Sequence, residues 1–452
     1  ERIFVPTLMP GTLLFFLTTS LAIALPVSFK TDIAPLLRNQ CQSCHGSKES
    51  KGDYRVDSYS ELMVALKEEP ARVIAGKSDK SLLLKLLITT QTDERMPQKS
   101  RPLPKAQVEL FRQWIDEGAK FDGTDPKTSL AEIIPARQHD PAPKIYPRPL
   151  PITALAFAPD GQTLAVSGLR EITIWNLEGQ LQHRITNMSQ RTFALAWLPD
   201  GQTLLAGGGI PGELGEVRAF TAEGKLRAVV HQASDVVLDI QLDANASRLA
   251  VADAANAVTI FDPSDFSRER KIDNHSDWVM ALAFSADSRF LASASRDHTA
   301  KIFDLKTSAS ISTYGGHKTA VQGVAFRADG KQVFSVDHSG ALHVWESGLA
   351  DIDGKRFGAK KVADIKGLSH DQYKILCLGN SLFTYGSNGE ARLFQADNLK
   401  ALKTFEHTDG WLMSMAWHAK SQRVATGAHD GTVCLWDIQS GKQLNRFVAL
   451  PR

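Results

Sequence analysis

Ala300-Lys301-Ile302-Phe303-Asp304, Leu342-His343-Val344-Trp345-Glu346 and Val433-Cys434-Leu435-Trp436-Asp437 share one form, an apolar run that ends in an aromatic residue followed by an acid. Short apolar or alternating runs rich in β-branched and aromatic residues read as strands. The same aromatic position recurs at Trp175 in Ile172-Thr173-Ile174-Trp175, at Phe220, at Phe261 before Asp262 and at Phe394 before Gln395. Successive gaps along the seven positions are 45, 41, 42, 42, 49 and 42 residues. A second marker keeps the period: Ala-Phe-Ala-Pro-Asp-Gly at Phe157, Ala-Trp-Leu-Pro-Asp-Gly at Trp197, Ala-Phe-Ser-Ala-Asp at Phe284, Ala-Phe-Arg-Ala-Asp-Gly at Phe326 and Ala-Trp-His at Trp417. Each is an apolar strand entering a turn. Two independent markers at one spacing predict seven four-stranded units, because a period of ~40–45 residues is that of a propeller blade.

On these residues the part from 151 to 452 resembles the WD-repeat propellers. The match is closest in the last unit, where His407, Thr426, Asp430, Trp436 and Asp437 stand at the positions of the family's structural hydrogen-bond network. His275 with Asp297, and His317 with Asp337, repeat it in part. The resemblance implies a platform for a protein partner, with histidines that staple blades rather than catalyse. The second, third and sixth units lack the His/Trp pair. Cys377 and Cys434 are expected to lie buried in strands as small apolar residues. Ring closure has two solutions: the first and last blades meet without strand exchange, or a strand around Lys144 to Pro147 joins the last one.

Far upstream stands Cys41-Gln42-Ser43-Cys44-His45, and Cys-x-x-Cys-His is the attachment sequence of a c-type haem. Two thiols at this spacing can each add to one porphyrin vinyl group, which holds the next side chain beneath the iron. His45 is then the proximal ligand. A zinc site would need a further Cys or His pair nearby, yet none falls between His45 and His139. A thioredoxin-like dithiol would need alternating strands and helices around the motif, and one short helix precedes it.

The sixth iron ligand follows by elimination. Between Gly46 and Pro126 the soft or imidazole candidates are Met63 and Met96. Met63 shares an amphipathic helical face with Leu62 and Leu66, which reads as core packing. Met96 lies in the polar loop Asp93-Glu94-Arg95-Met96-Pro97, where packing makes no demand on it. Met96 is therefore favoured over Met63, a lysine or an open site, and gives a His/Met iron with a raised potential. Phe29 to Gln40 reads as the helix that delivers the cysteines, with Ile33, Leu36 and Leu37 on one face and Thr31-Asp32 as its cap. Lys105 to Ala119 reads as a closing helix with Val108, Phe111, Trp114 and Ile115 at i, i+3, i+4 spacing and Gly118 near its end.

Phe29 to Phe121 resembles the planctomycete-type cytochrome c domain. The carriers are Cys-x-x-Cys-His-Gly, then Lys51-Gly-Asp-Tyr-Arg-Val-Asp, Gly76-Lys-Ser-Asp-Lys-Ser-Leu-Leu, the Arg-Met-Pro turn and a final Leu-x-x-Trp-Ile-x-x-Gly. Gln98 departs from the family, which usually has a second proline after the methionine. The resemblance implies one covalent haem c, with Cys41, Cys44, His45 and Met96 in the binding roles and His45 and Met96 on the metal.

The chain thus reads as multidomain: a small all-α cytochrome c domain followed by an all-β seven-bladed WD40-type propeller. The expected divisions are a signal peptide over 1–24, or a membrane anchor in its place, the haem domain over 25–125, a Pro-rich linker over 126–150 and the propeller over 151–452. Thr12 to Leu25 is the most apolar part of the leading stretch, and Ala22-Ile23-Ala24 is a small-x-small cleavage site. Export places the protein in the periplasm or otherwise outside the cytoplasm, and retention of the stretch would attach it to the membrane. The formal net charge is +2, with 52 basic and 50 acidic residues, so there is no nucleic-acid footprint. Four cysteines are too few for a disulfide scaffold. The favoured function is a non-enzymatic electron carrier serving a redox partner protein. The alternatives are an enzyme whose propeller holds a second cofactor (haem d1-like or quinone) and a haem-based sensor or scaffold. A two-haem peroxidase is disfavoured, because Cys-x-x-Cys-His occurs once.

Overall fold

The computed structural model describes residues 26–47, 50–64, 72–98, 101–349, 359–365, 372–407 and 410–451. The export stretch expected over 1–24 lies outside the described residues. Among those described, no helix is long and apolar enough to cross a membrane.

The first part is small and helical. A π-turn over Phe29–Ile33 runs into α1, Ala34–Gln40, with Pro35 in its first turn, where a missing N–H costs nothing. The cap is Ser28 rather than Thr31-Asp32: its hydroxyl accepts from the Thr31 amide at 3.1 Å while Asp32 Oδ2 accepts from the Ser28 amide at 2.8 Å. This reciprocal bonding is a capping-box arrangement shifted upstream. Three further helices follow: α2, Tyr59–Leu62; α3, Leu82–Ile88; and α4, Lys105–Asp116. The helix expected to carry Met63 ends at Leu62, which puts Met63 at its C-cap, and Leu66 lies outside the described residues.

Phe29, Ile33, Leu37, Leu62, Leu84, Leu87, Phe111, Trp114 and Ile115 form one buried core, as the helical spacing requires. Trp114 is a core residue whose indole N–H donates to the Lys120 carbonyl oxygen at 3.0 Å. After α4 the Gly118 amide donates to Ile115 O and the Ala119 amide to Trp114 O, with Gly118 at φ +99°. That is a Schellman stop, which glycine enters without a Cβ clash.

The second part is a seven-bladed propeller, each blade a sheet of four strands consecutive in sequence. Middle strands are covered on both faces by neighbouring blades and are buried almost throughout, as in Leu249–Asp253 of blade three. Fourth strands at the rim are mostly half-exposed, as in Arg268–Ile272 of the same blade. Blade six, which lacks the sequence signature, is complete from Gln372–Leu378 to Ala401–Glu406.

The ring closes without strand exchange. The Ile152 amide donates to Ala428 O, Ser414 Oγ to Ile152 O and Asn445 Nδ2 to Leu177 O. Trp175 of blade one packs on Phe447 of blade seven at 5.2 Å. Gly427 is needed at this seam, because a Cβ there would lie 2.5 Å from Ile152 Cγ2.

The histidines staple blades. His275 bonds Asp297 and Ser293, at 2.8 and 2.7 Å, and His317 bonds Asp337 and Ser335, at 3.0 and 2.7 Å. Trp345 Nε1 completes the second set on Ser335 Oγ. In blade seven His407 and Trp436 meet on Thr426 Oγ1, both at 2.9 Å, while Asp430 accepts from the Thr432 amide. All four cysteines are free thiols; Cys434 is buried as expected, whereas Cys377 is only half-buried.

Residues 126–150 pack against both parts. In α5, Leu130–Ile133, Leu130 enters the helical core and Ala131 the core of blades two and three. Farther on, His139 Nε2 meets Glu216 at 2.6 Å, and Glu216 also holds the fully buried Arg218. Tyr146 donates to Glu171 in blade one, which pairs with Arg184. Lys144 to Pro147 therefore lies against blade one and adds no strand to blade seven.

Candidate haem-binding site

The last turn of α1 passes directly into the Cys41 loop. The Cys41 amide donates to Leu37 O at 2.9 Å, and the Cys44 and His45 amides both return to Cys41 O, at 3.1 and 3.0 Å. This helical turn holds Cys41 and Cys44 on a frame that the α1 core anchors through Leu37. The Val56 amide donates to His45 O at 2.7 Å, which ties the loop to the strand-like segment after it.

His45 Nδ1 lies 3.2 Å from the Tyr54 carbonyl oxygen. A carbonyl only accepts, so Nδ1 carries the proton and Nε2 keeps its lone pair, the arrangement of a ligating histidine. Burial lowers the His45 pKa below its ordinary value, and backbone bonds to Tyr54 and Lys51 offset part of this. Burial, reinforced by neighbouring Cys44, pushes the Cys41 thiol up to about 12. Tyr54 is itself fixed, its hydroxyl donating to Leu62 O and its ring carrying the Arg72 guanidinium at 4.2 Å.

Cys41, Met63 and Met96 all border the same helical core. Met96 is held by its amide, which donates to Leu86 O at 2.9 Å near the end of α3. The residues present fit a haem. The donor set is two free thiols, an imidazole fixed through Nδ1 and thioethers at the core margin. Gln42, between the cysteines, is buried with neither side-chain amide atom partnered among the described residues, as is Arg95 Nε beside Met96. Buried polar atoms of this kind call for water or a bound group as partner. Among the described residues no group of three or more His, Cys, Asp and Glu is arranged to hold a metal ion.

Three contributors escaped the sequence reading. Tyr54 was visible in the Lys51-Gly-Asp-Tyr54 run, but its role rests on its carbonyl. Gln42 occupies an x position of the motif, which carries no expectation. Arg38 docks the domain: Nη1 donates to Val229 O at 2.7 Å, and Nη2 to Val230 O at 2.6 Å and Phe266 O at 3.2 Å. Around it Ser47 donates to Asp265, Arg268 to Asn39 O, and Glu132 pairs with Arg227. The Cys41–His45 side of the helical part thus faces blades two and three.

Residues 41–100 match the family model Planctomycete cytochrome C, and residues 266–304, 308–346 and 399–437 each match the WD domain, G-beta repeat. The matched repeats run from the rim strand of one blade through three strands of the next, and they contain the His275, His317 and His407 staples. Among curated proteins none matches the chain. The class is a cytochrome c-type domain joined to a WD-repeat propeller. Such a pairing supports a haem-binding protein built on a protein-interaction scaffold.

Proposed function

We propose that the protein is an exported electron carrier with one covalent haem c, whose propeller holds it against its partners. Cys41 and Cys44 would form the thioethers, and His45 and Met96 would hold the iron. The observation that carries this reading is the turn from Cys41 to His45, which holds two free thiols on one frame with an imidazole fixed by the contact of Nδ1 with Tyr54 O. When bound, haem supplies a one-electron couple; the chain's residues set its surroundings. Tyr54 orients the imidazole, the helical core excludes water and a thioether ligand raises the potential. The engagement of His275, His317 and His407 in blade staples supports a scaffold rather than a second catalytic centre. Export from the cytoplasm rests on the 1–24 stretch and on where c-type haem is attached.

The test is a pyridine-haem and reduced-minus-oxidised spectrum, with haem per chain, on protein exported in a cell that matures c-type cytochromes. One covalent low-spin haem, lost in Cys41→Ser/Cys44→Ser, is the expected result. A high-spin spectrum or an additional chromophore would overturn the carrier reading in favour of an enzyme.

A further inference from the structure

A cavity of about 320 Å³ lies where α1 meets blades two and three. Arg38, Arg268, Lys271, His231, Asp253 and Thr259 line it. Its charges are out of balance. Arg38 is committed to three neutral carbonyl oxygens. Arg268 lies near enough to repel it, and donates to the neutral Asn39 carbonyl. Burial lowers the pKa of both guanidiniums; Asp265 offsets part of this at Arg38, whereas at Arg268 no acid among the described residues does so.

The cavity's own carboxylate is held within its wall by two other lining residues. Asp253 Oδ1 accepts from the Ala257 amide at 3.0 Å, and Oδ2 lies 3.5 Å from His231 Nε2. Lys271 reaches Asp273 on the exposed side at 2.9 Å. Thr259 is buried to 1% exposure, yet its hydroxyl has no partner among the described residues. A partly desolvated guanidinium with no counter-ion among the described residues, beside a buried hydroxyl with no partner among them, is a costly arrangement that an oxyanion would relieve.

We propose that this interdomain cleft binds a small polyvalent oxyanion, a phosphate or a polycarboxylate. Arg268 supplies the forked donor and Thr259 a neutral O–H donor, with Lys271, paired to Asp273, at the rim. The volume lies at the small end of ligand pockets, which run from ~300 to 1,000 Å³. Because α1 forms one wall and the propeller the other, the bound anion also screens Arg38 from Arg268 and consolidates the docking.

The experiment is calorimetric titration of the full chain with inorganic phosphate and, separately, with citrate, at constant ionic strength in chloride. Binding of either at one site per chain is expected; phosphate alone assigns a tetrahedral ligand and citrate alone a carboxylate. Arg268→Gln should weaken binding roughly 10- to 100-fold, as loss of a charge-assisted bond does. That change also removes the contact with Asn39, so Thr259→Val, which leaves the docking bonds intact, provides the second reading at roughly 2- to 10-fold. No binding of either anion at millimolar concentration, or binding unchanged in both variants, would overturn the proposal.

Discussion

Arg38 Nη1 donates to the Val229 carbonyl oxygen at 2.7 Å, which fastens the residue three positions before Cys41 to the rim strand of blade two. The turn that carries both thiols is therefore braced from two sides, by the helical core through Leu37 and by the propeller through Arg38. Burial lowers the Arg38 pKa to about 10, so the guanidinium keeps its charge at neutral pH. A scaffold that holds the haem domain in this way presents its remaining faces in a fixed orientation.

Arg38→Ala should undo the docking and spare the haem turn. Hydrogen bonds from a charged group are worth ~1.5–3 kcal/mol each, enough to dominate a small interface. Small-angle scattering should show a larger radius of gyration, and proteolysis within 126–150 should accelerate. Haem per chain should stay the same. An unchanged radius would mean that α5 and the Glu132–Arg227 pair hold the domains without Arg38.

Replacing each methionine distinguishes the two thioethers. Met96→Ala should abolish the weak sulfur-to-iron absorption of the oxidised protein and lower the reduction potential. Met63→Ala should preserve the absorption and cost stability, on the order of 2 kcal/mol for a half-buried Met at the edge of a core. The reverse pattern would assign the iron to Met63.

What could be read in advance is what is local in the chain. Each blade pairs strands consecutive in sequence, so one aromatic residue per blade at a steady spacing suffices to reveal all seven, including blade six around Cys377. Cys41 to His45 is equally local. The docking was not legible, because the acceptors of Arg38 are backbone carbonyls of residues 229, 230 and 266, which no residue type announces. The cap was misplaced because Ser28, Thr31 and Asp32 are all capping types, and only the bonding separates the Ser28 cap from the residues that serve it. Cys377 was expected to be buried because its strand is apolar, yet the strand's end lies half-open on the central channel, a cavity of about 490 Å³ lined by the first strands of the blades.

Acid should loosen the propeller in a defined window. Burial holds His343 and His407 at about 4, against an ordinary value of 6.5. Lys361 and His317 add to the lowering at His343, and Asp430 opposes it at His407. Between those values the unfolded chain binds more protons than the folded one, so stability is complete above about 6.5 and falls as pH drops towards 4. A second loss follows below 3.8, where Asp337 protonates when unfolded while its bonds to His317 and Ser339, acting against burial, keep it ionised when folded. Thermal midpoints measured across this range should fall with pH, and His407→Asn should flatten the slope between 6.5 and 4. A flat wild-type profile there would contradict the burial of these neutral imidazoles.

The channel holds one more testable contact. Inner strands shift register by one residue, and the residues after the shift include Ala194, Asp239, Ala281, Gly323, Lys374 and Ser414. Small residues predominate, with one acid and one base. Lys374 of blade six crosses to blade four and donates to Met280 O at 2.7 Å; Gly323 of intervening blade five has no side chain to obstruct it. Asp239 of blade three accepts from the Leu282 amide and from Gln241. Burial raises the Asp239 pKa and lowers that of Lys374, and each charge offsets the shift of the other. Lys374→Met therefore leaves Asp239 with its two hydrogen bonds but without the nearby positive charge, and should cost roughly 1–3 kcal/mol. Adding Asp239→Asn removes the stranded charge, so the double variant should recover much of the loss. Denaturant midpoints of the two singles and the double measure the coupling; additive losses would show that the lysine and the aspartate act independently across the channel.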